Sequence, residues 1–149
     1  MDFELSDEQE AFRGVVRSFA MAEIAPYAAD WDRDETFPVD TVLAMGELGL
    51  FGLVFPEAYG GSDAPFSTLC IAIEEIGRVD QSLGITLSAG VGLGANPIYS
   101  FGTEDQRQHY HRGQQADQQH RCLAALGAQR VRVSDGMPHS TDGPAPTVT

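Results

Sequence analysis

"LSDEQEAFRGVVRSF" (residues 5–19) decides the class of fold. Ser6 stands three residues before Gln9, the spacing of a capping box, in which each side chain satisfies a backbone N–H of the other residue. Asp7 and Glu8 follow, where negative charge is favoured by the helix dipole. Phe12, Val15, Val16 and Phe19 then fall at i, i+3, i+4 and i+7, one apolar stripe with the period of an α-helix. Start signal and stripe agree, so the spacing predicts an amphipathic helix that needs a helical partner.

The same grammar recurs along the chain. Pro26 suits the first turn of a second, short helix through Trp31. Pro38 opens a third, with Val42, Leu43 and Leu48, and Gly49 is its left-handed cap. "LFGLVFPEAYGG" (residues 50–61) reads as an apolar extended run, broken by Pro56 and by a turn at Gly60-Gly61. A fourth helix runs from about Pro65 to Arg78 with Leu69, Ile73 and Ile76 on its buried side. Asp80 caps a fifth carrying Leu83, Leu87 and Val91; Pro97, Ile98 and Phe101 belong to a sixth; Thr103-x-x-Gln106 is another capping box. The expected fold class is all-α, a helical bundle with an irregular C-terminal tail.

Composition divides the chain near residue 105. Up to that point there are 19 acidic residues against four arginines, a balance of −15 within a total of −13; beyond it come three acids and five arginines. All four histidines lie in the second part, and lysine is absent. A body of that charge repels phosphate, which argues against a nucleic-acid partner. No run approaches 18 apolar residues, so no membrane span is expected. The acidic N-terminus does not read as a signal peptide, and Cys70 and Cys122 form no disulfide framework, so a cytoplasmic protein is expected.

Two local patterns suggest ligands. Asp30, Asp32, Asp34 and Glu35 in "DWDRDE" have the density of a calcium loop, but Glu35 stands where such a loop needs glycine, and a solvated helix end accounts for them. "AGVGLG" (residues 89–94) has glycines suited to a dinucleotide, yet no strand precedes it and its third glycine is misplaced. Close helix packing, or approach of a ligand to bare backbone, explains it better.

The order of these pieces resembles the N-terminal helical domain of flavin-dependent acyl-CoA dehydrogenases. The resemblance is carried by Leu5-x-x-Glu8-Gln9, "MGELGLFGLVFPEAYGG" (residues 45–61), "IAIEEIGRVDQSLG" (residues 71–84) and "GLGANPIYSFGTEDQRQ" (residues 92–108). It covers residues 3 to about 110. It implies a protein built from this helical domain, a middle β-barrel and a C-terminal four-helix domain. There, a glutamate of the last part takes the α-proton of an acyl-CoA thioester, the β-hydrogen leaves as hydride to FAD, and electrons pass to an electron-transfer flavoprotein. It also implies that the fifth helix supplies one wall of the acyl pocket, here Ile85, Thr86, Ala89, Gly90 and Leu93. Small, mostly apolar side chains suit an acyl chain, and they equally suit helix packing.

Residues 1–108 are therefore expected to be the dehydrogenase-like helical domain, and 109–149 a tail outside the family pattern. "RCLAALG" (residues 121–127) faintly echoes the family's first barrel strand, but the Thr-Glu-Pro and Gly-Ser-Asp that bind flavin and substrate do not follow it. A tail of Arg, Gln, His, Gly and Pro, expected to be disordered beyond about residue 128, reads as the product of a lost reading frame. On this reading the chain is a truncated acyl-CoA dehydrogenase, inactive alone, with no residue assigned as catalytic, cofactor-binding or metal-ligating and with FAD not held by this chain alone. Two alternatives stand beside it. One is a helical module that docks on other acyl-CoA dehydrogenase subunits or holds an acyl chain; the other is a small metal protein using His109, His111, His120 and Cys122.

Overall fold

The computed structural model describes residues 4–112, with side chains placed through residue 110. The expected disordered tail, His120 and Cys122 lie outside the described residues. Among the described residues there are helices and no strand.

Helix α1 (Asp7–Phe19) begins with the full capping box: the Gln9 amide donates to Ser6 Oγ at 3.2 Å and the Ser6 amide donates to Gln9 Oε1 at 3.1 Å. It continues through a π-helical turn, Ala20–Ile24, that puts Ala20 and Ile24 in the core. The predicted stripe is corrected at one position. Val16 is fully buried and Phe12 and Phe19 pack against the core, but Val15 is 53% exposed. The core meets a stripe narrower than the apolar one.

Helix α2 (Ala28–Arg33) starts two residues after Pro26, which lies in the preceding turn, and reaches beyond Trp31. Helix α3 (Val39–Glu47) follows Pro38 and buries Val42 and Met45; Leu48 lies just outside it on the surface, and Gly49 takes the left-handed conformation at φ +81°.

The expected extended run after Gly49 is instead a folded loop. Two 3-10 turns, Leu50–Gly52 and Glu57–Tyr59, replace it, with Gly60 left-handed at φ +82°. The loop closes on itself: the amides of Ser62, Asp63 and Ala64 donate to the carbonyls of Gly52, Phe55 and Leu53 at 3.2, 2.9 and 2.8 Å. This crossing requires a glycine at 61, because a Cβ there would overlap the carbonyl oxygen of Phe55. The apolar residues of the run serve the core from turns, with Leu50, Leu53 and Phe55 buried.

Helix α4 (Phe66–Gly77) is the centre of the bundle, burying Leu69, Ile71, Ala72 and Ile76, while Ile73 is half-buried. It runs in the same direction as α1: Gln9 donates to Ser67 at one end, and Arg17 binds Glu75 eight residues on. Asp80 caps α5 (Gln81–Ala89) by accepting from the Leu83 amide at 2.9 Å. At the crossing of α4 and α5 the two backbones touch, since a Cβ on Gly84 would lie 2.8 Å from the Cα of Gly77. A π-helical segment, Gly90–Ala95, joins α5 directly to α6 (Asn96–Phe101). After Gly102, the capping box of Thr103 and Gln106 starts α7 (Glu104–Arg112).

Candidate functional site

The continuous helical run from Gln81 to Phe101 has two apolar sides. Leu83, Leu87, Val91 and Ala95, four residues apart, turn inward and are buried. Ile85 and Leu93 turn outward, 58% and 81% exposed, with Thr86, Ala89 and Gly90 half-buried beside them. Of the five residues expected to form an acyl wall, Ile85 and Leu93 thus face solvent and Thr86, Ala89 and Gly90 flank them half-buried. Between Asp80 and Glu104 there is no charged residue. In a body carrying −15 up to residue 105, that absence leaves an uncharged strip on an acidic molecule.

The one hydroxyl among these five residues is satisfied locally, for Thr86 Oγ1 donates to the carbonyl of Ser82 at 2.8 Å. Gly90 leaves a gap that a residue from elsewhere backs. A Cβ at Gly90 would meet the Phe51 ring at 3.0 and 3.2 Å, so the ring occupies the direction in which a side chain would point. Phe51 was not among the expected wall residues. Positions 51 and 90 are linked by tertiary folding alone, and no local pattern connects them. The glycines at 90, 92 and 94 lie in the π-helical segment, so "AGVGLG" is helical, with Gly90 alone of the three against Phe51, and has no preceding strand to make a dinucleotide turn.

The acidic group "DWDRDE" is organised around arginine. Arg33 Nη2 donates to Asp30 at 2.7 Å and Arg33 Nε to Asp34 at 3.1 Å. Among the described residues no group of three His, Cys, Asp or Glu side chains is placed to hold a metal ion. Of the four proposed zinc ligands, only His109 has a described side chain, which packs edge-on against Tyr110 with ring centroids 6.4 Å apart.

A buried ionic cluster, not foreseen from the sequence, joins α1 to α4. Glu75 is 3% exposed, and Arg17 grips it through Nε to Oε2 at 2.9 Å and Nη2 to Oε1 at 2.8 Å. Arg78 Nη1 lies 3.4 Å and Arg13 Nε 4.0 Å from the same Oε1. The Arg17 hydrogen bonds hold the Glu75 carboxyl below the usual carboxylate range, although burial alone would raise it.

These pairings bear on the flavin that the resemblance implies. A dinucleotide pyrophosphate needs cationic or N–H donors. Yet each described arginine side chain, at 13, 17, 33, 78 and 107, lies within 4.0 Å of a carboxylate oxygen. With every described arginine engaged in this way, the described residues alone do not fit FAD.

Comparison with known proteins identifies the family of the helical domain. A family model for the N-terminal domain of acyl-CoA dehydrogenases matches residues 6–118. A probable acyl-CoA dehydrogenase of Bacillus subtilis (strain 168) is 48% identical over 108 residues, which are 72% of this chain and 28% of that protein. A short-chain specific acyl-CoA dehydrogenase of Clostridium acetobutylicum is 43% identical over 110 residues, 74% of this chain and 29% of that protein. The solved butyryl-CoA dehydrogenase from Megasphaera elsdenii superimposes with a TM-score of 0.72 at 34% identity, covering 76% of this chain and 30% of that one. The chain spans less than a third of the length of these relatives. Among the described residues no helix is long and apolar enough to cross a membrane. With its bundle, its loop and its outward strip all falling within the matched residues, the chain belongs to the acyl-CoA dehydrogenase family through that family's N-terminal helical domain.

Proposed function

We propose that residues 1–108 are the helical domain of an FAD-dependent enzyme that desaturates acyl-CoA thioesters between Cα and Cβ. In that role α5 and the π-helical segment supply one wall of the acyl pocket through Ile85, Thr86, Ala89, Gly90 and Leu93. The observation that carries this is the uncharged outward strip on a helix whose opposite side is core. A surface helix in an acidic body is ordinarily polar outward; this one keeps apolar side chains there, as a wall for an aliphatic ligand needs.

The wall excludes water and orients a chain. It holds no base and no flavin, so the 149 residues by themselves are expected to purify without flavin and to leave acyl-CoA unoxidised. FAD, acyl-CoA and other acyl-CoA dehydrogenase subunits are then partners of the complete assembly. A flavin-coloured preparation with a second subunit copurifying would instead favour a docking module.

Octanoyl-pantetheine tests the wall directly. It carries the acyl thioester without the phosphates that the acidic body repels. Titrated into methyl-labelled protein, it is expected to shift the methyl signals of Ile85 and Leu93, with pantetheine alone leaving them still. Equal silence with both compounds, or shifts spread over buried and exposed methyls alike, would remove the wall.

A further inference from the structure

Helix α7 differs from the other helices of nine or more residues in what holds it. From Glu104 to Tyr110 no side chain is buried, and Arg107 is the one half-buried member. A helix of nine residues without an apolar face is not expected to persist in water by itself. Its contacts with the body are polar and aromatic. The Tyr59 hydroxyl, from the 3-10 turn before Gly60, lies 3.1 and 2.9 Å from the two carboxylate oxygens of Glu104. Gln108 Nε2 donates to Glu104 Oε1 at 3.0 Å from the next helical turn. The Arg107 guanidinium sits 5.7 Å from the ring centroid of Tyr99 on α6, and Tyr99 meets both Tyr59 and Phe55 edge-on at 6.0 and 5.6 Å.

We infer that Tyr59, Glu104, Arg107 and Tyr99 form a latch that docks α7 on the bundle, so that α7 is released as a unit while the rest stays folded. The physical ground is the contrast in burial. The other long helices are tied by side chains removed from water, whose exposure requires unfolding the core. Breaking the latch exposes half-buried groups, Tyr59, Tyr99 and Arg107, and no core side chain of α7, since α7 has none. The electrostatics agree: hydrogen bonding to Glu104 raises the Tyr59 hydroxyl pKa, with the Arg107 charge acting the other way. The Glu104 carboxyl is lowered by the hydrogen bonds from Gln108 and Tyr59. The position of α7 sets the direction in which the chain leaves the bundle, so the latch is a positioning device for whatever follows residue 112. The inference does not depend on the acyl wall, and its test uses no acyl ligand.

Amide hydrogen exchange on the full 149-residue chain provides the test, comparing α7 amides from Gln108 to Arg112 with those of α4. In the parent chain α7 is expected to be protected, but less than α4. Tyr59→Phe and Glu104→Gln should each lower α7 protection by about fivefold, the scale of one partly exposed hydrogen bond, and leave α4 unchanged. Asp105→Asn removes an acid from the same first turn without touching Tyr59, and should leave α7 protection as it was. Absence of α7 protection in the parent overturns the latch, and so does indifference to both latch substitutions. Equal loss from Asp105→Asn would assign the effect to the helix dipole. Loss of protection in α4 and α7 together would show that α7 is no separate unit.

Discussion

Arg17 on α1 and Glu75 on α4 form a two-bond clamp at 2.8 and 2.9 Å around a carboxylate that is nearly free of solvent. Removing the negative charge leaves Arg13, Arg17 and Arg78 around a neutral group, so Glu75→Gln is expected to cost about 2 kcal/mol at neutral pH, measured by urea unfolding. The clamp also fixes a pH dependence. Because the folded pKa of Glu75 is depressed, its contribution is complete above the unfolded value, near pH 4.3, and is lost as pH falls through the folded value. Arg17 is shifted upward by the same pair, so on the alkaline side the clamp fails only in strong alkali, and on the acid side it weakens with the Glu75 charge. The stability gap between the parent chain and Glu75→Gln should therefore narrow as the solution is taken from pH 6 to pH 3, roughly the window of that titration. A gap of constant size would locate the effect in packing.

At the α4–α5 crossing the two glycines are not equivalent. A Cβ on Gly84 meets the Gly77 Cα at 2.8 Å and its nitrogen at 3.2 Å, backbone that cannot rotate away. A Cβ on Gly77 meets nothing nearer than 3.8 Å. Gly84→Ala is expected to destabilise by about 1–3 kcal/mol through forced separation of the helices. Gly77→Ala should be neutral or stabilising by up to about 1 kcal/mol through helix propensity. Thermal melts of the two variants check the asymmetry, and equal losses would refute it.

The cap of α5 carries its own expectation. Asp80 accepts from the Leu83 amide at 2.9 Å, and its Oδ1 also accepts from Ser82 Oγ at 2.6 Å. Asp80→Ala should cost about 1 kcal/mol, whereas Asp80→Asn, which keeps the acceptor, should cost little. If both variants melt alike, the charge and not the cap is what matters.

What the sequence disclosed, and what it hid, follows the range of each interaction. Both capping boxes, the Gly49 cap and the Asp80 cap depend on residues within three positions of one another, and each appears in the structure as read. Helix continuity was less legible. The π-helical segments at Ala20–Ile24 and Gly90–Ala95 each widen a turn, which shifts the apolar register without a distinctive residue pattern. The loop after Gly49 read as extended because its residues are apolar; it folds because Gly61 lets its two segments of chain approach. Glu75 and the Phe51–Gly90 contact were invisible for a simpler reason. Their partners are 58 and 39 positions away, and only the folded bundle brings them together. The acyl wall is an expectation from family resemblance, and of its five residues Ile85 and Leu93 face solvent in the structure.

That outward side sets the last expectation. Ile85, Leu93 and Phe101 are 58%, 81% and 91% exposed on one uncharged helical run, and exposed apolar side chains concentrated on one element mark an interaction surface. Presented to water in the 149-residue chain, it should bind a hydrophobic reporter dye and drive concentration-dependent association. Replacing Leu93 and Phe101 by Gln changes no charge and removes no buried contact, so stability should move by no more than about 0.5 kcal/mol. Dye binding and association should nevertheless fall together. Phe66→Gln is the control: Phe66 is 65% exposed on α4, outside the 81–101 run, and its loss should alter neither property much. Two results would contradict the assignment. One is a parent chain that stays monomeric and dark to the dye at every concentration. The other is a Phe66 variant as effective as the double variant, which would make the stickiness a general property of exposed aromatics and leave the α5–α6 surface without a special role.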